Sequence, residues 1–360
     1  MTTTSRAKPL VNAYTTGRLP AYLPWLLLVG SLLLSATMFV LIWLSDTTAD
    51  YPIAGAVFVG VVAYGISLYA LSRLVEGRRP ATNRLVTTLV VLAFVIALLP
   101  LISLLFTVVT NGLGRFDLMF FTYSMRNIVG DGGGALHAIL GTLLMTGAAA
   151  IISIPIGLMT AVYLAEYGRG AIARTITFFV DVMTGIPSIV AGLFAFALFT
   201  LFFGPGVRVG VAGAIALAVL MIPVVVRTSE EMLRLVPNEL REASYALGVP
   251  KWRTIVKIVI PTSIAGITTG VMLAIARVIG ETAPLLVAAG FTTSMNYDLF
   301  DGRMQSLPVF VYSSYVSQGT NAIASLDRAW AGALTLILIV MLLNLVARIV
   351  ARVYAPKTRR

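Results

Sequence analysis

The stretch REASYALGVPKWRTIVKIVIP, residues 241–261, places a charged and well-terminated helix inside a chain that is otherwise as apolar as lipid. Val236, Leu240, Ala243 and Leu247 recur at spacings of four, three and four, which makes one apolar stripe, while Glu239, Arg241 and Glu242 fall off it. Pro237 suits a first turn and Gly248 a left-handed C-terminal cap, so both ends of a short helix are specified. From Ile255 the residues turn hydrophobic again. The fold therefore depends on what lies on either side of this helix.

Of the 360 residues, 58% are hydrophobic and 11% charged, where soluble domains carry about 45–50% and about 25%. That composition belongs in a bilayer. There is no cysteine and one histidine, His137, so disulfides, thiolate chemistry and metal catalysis have little or nothing to build on. A net charge of +11 would suit nucleic acid only if clustered on one solvated face; here the basic residues follow the topology, and no nucleic-acid partner is expected.

Apolar segments of about 20 residues cross a hydrocarbon core of about 30 Å. Eight such segments are expected, near residues 21–44, 52–72, 85–110, 135–163, 173–203, 209–227, 260–290 and 329–350. The first reads as a retained span rather than a signal peptide. One alternate set of connections holds 20 Lys and Arg, and the opposite set holds Arg115, Arg126, Arg208, Arg303 and Arg328. Because cytoplasmic loops retain positive charge, both termini are expected in the cytoplasm. Of the exterior segments, 111–134 and 291–328 are long enough to fold, and SLPVFVYSSYVSQG within the second suits a short or re-entrant helix as well as a plain loop. Pro100, Pro155, Pro187 and Pro223 are candidate breaks or kinks within spans.

Residues 241–248 fall on the basic side, between spans six and seven. Glu230, Glu231, Glu239 and Glu242 offset Arg234 and Arg241, a balance that suits docking in another protein's groove better than lying on lipid. Glu242-Ala243-Ser244, then Gly248, then Ile258-Val259-Ile260-Pro261 resembles the EAA loop of ABC-importer permeases. GIPSIVAGLF (185–194), ARVIGETAPLL (276–286), SLPVFVY (306–312) and WAGALTLILIVMLLN (330–344) narrow the resemblance to the permeases of bacterial phosphate importers.

The resemblance implies an all-α polytopic membrane protein with a type I ABC importer permease core over about 84–355, including a coupling loop at 236–261. Two additional N-terminal helices lie within 21–83, between a cytoplasmic segment, 1–20, and that core, and a basic tail follows at 356–360. Glu242, Ala243, Ser244, Leu247 and Gly248 are expected to contact the ATPase, with Ser244 replacing the usual second alanine conservatively. The implied partners are a second permease subunit, a dimer of ATPase subunits that use ATP and Mg, and an extracytoplasmic phosphate-binding protein, all at a bacterial inner membrane. No cofactor is expected on this chain itself. Permeases for molybdate, sulfate or phosphonate, an ion-coupled secondary transporter and a membrane partner of phosphate signalling are the competing readings.

Ionisable groups inside spans are costly and mark functional positions. Arg277 and Glu281 are four apart and expected to share a helical face, either as a substrate site or as a self-neutralising pair. Arginine presents a planar fork suited to phosphate oxygens. Arg227, at the end of span six, is expected either to snorkel to the interface or to join them. The resemblance places Arg227, Arg277 and Glu281 where the family carries its translocation-linked charges; Asp181 reads as structural. Moving one negative charge inward against the membrane potential costs about 2.3 kcal/mol per 100 mV, so a motor is required. The chain has no G-x-x-x-x-G-K-[ST] loop, which assigns ATP hydrolysis to another subunit.

Overall fold

The computed structural model describes residues 19–45 and 53–354. Most of the expected N-terminal segment and all of the 356–360 tail lie outside the described residues. Every regular element described is helical: α1 (Leu23–Ser45), α2 (Ile53–Val75), α3 (Arg78–Gly112), α4 (Leu118–Thr122), α5 (Leu136–Val162), α6 (Gly170–Thr184), α7 (Ser188–Phe203), α8 (Gly210–Arg234), α9 (Asn238–Ala246), α10 (Lys251–Thr254), α11 (Ile260–Val278), α12 (Ala283–Ala288), α13 (Leu307–Val316) and α14 (Ala322–Tyr354), with a 3-10 turn at Leu113–Arg115 and π turns at Tyr163–Tyr167 and Ile255–Val259. Seven helical runs among the described residues are long and apolar enough to cross a membrane, and the bent pair α6 and α7 brings the number to eight. The protein is a multi-pass membrane protein.

Two expected spans are not single helices. Residues 173–203 divide into α6 and α7, which meet at 106°. Pro187 has no N–H and disfavours helix at Ile186, so the chain turns extended there and restarts with Pro187 as the N-cap. Residues 260–290 divide as well: α11 starts from a continuous run at Lys251, ends at Val278, and α12 begins at Ala283. Gly280 favours the stop, and Pro284 is tolerated because it sits in the first turn of α12. Pro100, Pro155 and Pro223 remain inside their helices.

By contacts the chain divides into two compact units, Met1–Leu104 and Leu105–Arg360. In the first, α1 and α2 cross on small residues: Ser35 donates to the carbonyl of Ala56 at 2.6 Å. A Cβ added at Gly60 would lie 3.1 Å from Leu32 Cα, so the glycine permits the close approach. After α2, the Glu76 carboxylate accepts Arg84 Nε and Nη2 at 2.7 and 2.8 Å, the Ser72 hydroxyl at 2.7 Å and the Leu19 N–H at 2.9 Å. The Arg84 hydrogen bonds, helped by those from Ser72 and Leu19, outweigh burial and hold the carboxyl well below its ordinary range, at about 2.

In the second unit α8 is the central helix. Its residues Leu217, Met221 and Val225 are buried and pack with Met145 and Ala149 of α5, Ala274 and Val278 of α11 and Leu285 of α12, while its buried Ala212 and Ala216 pack with Ala195 and Phe199 of α7 and Ala288 of α12. Alternating small and large residues let four elements share one dry core. The apolar stretch within 306–319 forms α13, held against α5 by the Leu307 N–H on Thr142 Oγ1 at 2.6 Å and by His137 Nε2 and Gln305 Oε1 at 3.1 Å. It is a packed helix rather than a plain loop.

The half-helices α7 and α12 touch through Gly192, where an added Cβ would sit 2.5 Å from Pro284 Cα and 2.9 Å from its carbonyl oxygen. These are backbone atoms and cannot rotate aside. Gly192→Ala is therefore expected to destabilise the protein by about 1–3 kcal/mol, the usual cost of overpacking. Thermal unfolding in detergent measures this, and an unchanged midpoint would contradict the close contact.

Candidate functional site

The helix expected at 236–248 is α9, with Pro237 as its N-cap. Gly248 has φ of +74°, the left-handed cap that its position requires, and its N–H reaches the Tyr245 carbonyl at 2.9 Å. The apolar stripe divides. Val236 is buried, whereas Leu240 is 41% and Leu247 83% exposed, and Glu242 and Ala243 are exposed beside them. A short helix thus exposes leucine, alanine and glutamate at the surface.

Ser244 does not belong to that surface. It is buried, and its hydroxyl pairs with Thr254 Oγ1 at 2.8 Å, joining α9 to α10 across the turn. The reason is helical phase: the exposed Glu242 and Ala246, two positions to either side, lie about 160° around α9 from Ser244. Ser244→Ala is expected to cost about 1 kcal/mol of stability, the net value of one hydrogen bond, and to leave ATPase recovery unchanged. Thermal unfolding beside co-purification checks this. Loss of co-purification at an unchanged midpoint would return Ser244 to the docking surface.

Behind α9 lies a charge network. Arg241 Nε and Nη2 both donate to Glu166 Oε1, at 3.0 and 2.8 Å. Nη2 also donates to the Leu233 carbonyl at 2.9 Å, and Nη1 to Asn238 Oδ1 at 3.2 Å. The side chains of Glu166 and Arg241 are 4% and 13% exposed, so this is a buried pair. Lys251 donates to the Glu166 carbonyl and sits 4.6 Å from the centre of the Tyr167 ring. The π turn after α5 is thereby tied to both helices of the loop.

Arg227, near the end of α8, is paired rather than snorkelling. Its guanidinium bridges to Asp181 on α6 and lies 3.5 Å from Glu230. Glu230 in turn holds Arg234 at 2.7 Å. The nearby close approach of α8 and α11 is set by Gly270, where a Cβ would fall 2.4 Å from Thr228 Oγ1.

Arg277 and Glu281 do not form the expected pair. Arg277 lies in the last turn of α11 and is exposed. Glu281 lies beyond the Ile279 C-cap, half-buried, with its N–H on the Val278 carbonyl at 3.1 Å. The break at Gly280 removes the common helical face on which a four-residue spacing depends. Among the described residues no ion pair joins Arg277 to Glu281, or either to Arg227. A cation and a carboxylate thus stand at an opened helix end within the apolar region.

Residues 153–360, which include α9 and both helix breaks, match the binding-protein-dependent transport system inner membrane component family. The chain belongs to that family. It is 49% identical over 286 residues to the phosphate transport system permease protein PstA 1 of Mycobacterium tuberculosis (strain ATCC 25618 / H37Rv), covering 79% of this chain and 91% of that one. It is 43% identical to phosphate transport system permease protein PstA of Pasteurella multocida (strain Pm70), covering 75% and 95%. A solved chain of the MetNI methionine ABC transporter, in an inward-facing conformation, shares the fold with a TM-score of 0.51 at 20% identity, over 61% of this chain and 96% of that one.

Three contacts join segments distant in sequence: the Glu166 contact to Arg241, the Lys251 contact to the same turn, and the Asp181 contact to Arg227. Each joins residues 46 or more positions apart in sequence. A glutamate at the end of an apolar run is the one local sign that Glu166 offered.

Proposed function

We propose that this chain is the membrane-spanning permease subunit of an ATP-driven inorganic phosphate importer. The observation that carries the reading is the 49% identity to a phosphate transport system permease across 91% of that protein. The geometry supports it. Exposed Leu240, Ala243 and Leu247 with Glu242 and Gly248 form the contact for a cytoplasmic ATPase dimer, which hydrolyses ATP with Mg. A second permease subunit completes the pore, and an extracytoplasmic binding protein delivers phosphate to it. Both termini lie in the cytoplasm of a bacterial inner membrane, as the distribution of basic residues indicates.

Arg277 receives phosphate oxygens through its planar fork, and Glu281 competes for the guanidinium as the substrate leaves. Arg227, held by Asp181 and Glu230, positions α6 against α8 and releases or rebinds as the pore alternates. Nucleotide-driven movement of the ATPases reaches these residues through the buried Glu166–Arg241 contact.

The test is phosphate uptake in cells lacking their own phosphate permease, with this chain co-expressed with its two partner subunits and the binding protein. Leu247→Glu places a charge on a side chain already 83% exposed, so folding is expected to be unaffected. Uptake and recovery of the ATPase are both expected to fall. Undiminished uptake with full recovery of the ATPase would remove α9 from the coupling contact.

A further inference from the structure

The last acidic residue of the chain is Asp327; all five charged residues after Arg328 are basic. Arg348 and Arg352 are exposed on α14, and together with Asn344 they recur at intervals of four, on one helical face. No hydrogen bond or ion pair engages either guanidinium among the described residues. They line a groove of about 670 Å³ between α14 and α11, whose other walls are Thr269, Met272, Leu345, Ala347 and Ile349.

Two like charges one turn apart repel each other, and beside a low-dielectric wall that repulsion is screened less than in water. Snorkelling would relieve it by sending each side chain separately to the interface. A groove polar at Asn344, Thr269 and the two arginines, and apolar at Met272, Leu345 and Ile349, instead matches an amphiphile with an anionic head. Thr269 and Asn344 each already donate to their own helices, at 2.8 and 3.0 Å, which leaves the threonine oxygen as an acceptor and a second amide N–H as a donor. We propose that this groove holds the headgroup of an anionic phospholipid in the leaflet at the C-terminal end of α14, with its acyl chains along Met272 and Ile349. The apolar wall favours a lipid over free phosphate, which gains nothing from it.

Native mass spectrometry of the full chain, stripped of lipid and then titrated with phosphatidylglycerol or with phosphatidylcholine of the same acyl chains, tests the proposal. The wild type is expected to retain phosphatidylglycerol in preference. Arg348→Gln with Arg352→Gln is expected to weaken that retention about 25-fold, at about fivefold per charge. Arg169→Gln with Arg174→Gln, at exposed arginines after α5, is expected to leave it unchanged. Equal retention of the two lipids by the wild type, or an undiminished preference in the Arg348 and Arg352 variant, would overturn the site. Displacement of the lipid by excess inorganic phosphate would show a free-anion site instead. Loss of the lipid when the second permease subunit assembles would reassign the groove to the subunit interface.

Discussion

Glu166→Ala is expected to abolish coupled transport while leaving the membrane spans inserted. The Arg241 side chain is 13% exposed and has Glu166 as its one anionic partner among the described residues. Removing that carboxylate leaves a buried guanidinium without a counter-charge, at a cost of about 3–5 kcal/mol. The energy falls on the contact between the π turn at Tyr163–Tyr167 and α9, so the coupling helix loses its fixed position before the core of α5, α8 and α11 is disturbed. Protease accessibility of residues 236–250, together with recovery of the ATPase, measures the effect. Removing both charges with Glu166→Gln and Arg241→Met is expected to restore much of the stability, since no unpaired charge remains. Wild-type protection and full ATPase recovery in Glu166→Ala would contradict the account.

Arg277→Gln is expected to cut phosphate uptake by one to two orders of magnitude, about 10- to 100-fold, with little change in stability. The helix break leaves Arg277 exposed and without an ion pair, so its loss strands no buried partner. In the proposed function, what is lost is a charge-assisted contact with the substrate worth about 1.5–3 kcal/mol, about 10- to 100-fold in transport. Arg277→Lys is expected to fall between, because an ammonium retains the charge and lacks the fork. Labelled phosphate uptake, normalised to membrane abundance, ranks the three proteins. Uptake by Arg277→Lys equal to that of the wild type would show that charge alone suffices.

The all-helical membrane fold and α9 were legible in sequence because both rest on local signals: apolar length for the spans, and Pro237, Gly248 and a repeating stripe for the short helix. Segmentation within the spans was less legible. Pro187 breaks a helix whereas Pro100, Pro155 and Pro223 do not, and the difference lies in whether packing allows the helix to continue past the missing N–H. For Arg277 and Glu281 the four-residue spacing suggested a shared face only while the helix was taken as continuous; Gly280 and Pro284 end it between them. Ser244 was assigned to the docking surface from its motif position, and the partner that turns it inward, Thr254, lies on the next helix. The Glu166–Arg241 contact joins residues separated by 75 positions, and no period or motif in a single sequence encodes it.

The central claim is that the break after α11 frees Arg277 to meet the substrate instead of neutralising Glu281. Labelled phosphate uptake by the double variant Arg277→Gln, Glu281→Gln, measured beside complex assembly, tests it most directly. The account predicts a stable, fully assembled and inactive transporter. Wild-type uptake would contradict it, because two charges that served only each other can be removed together without loss.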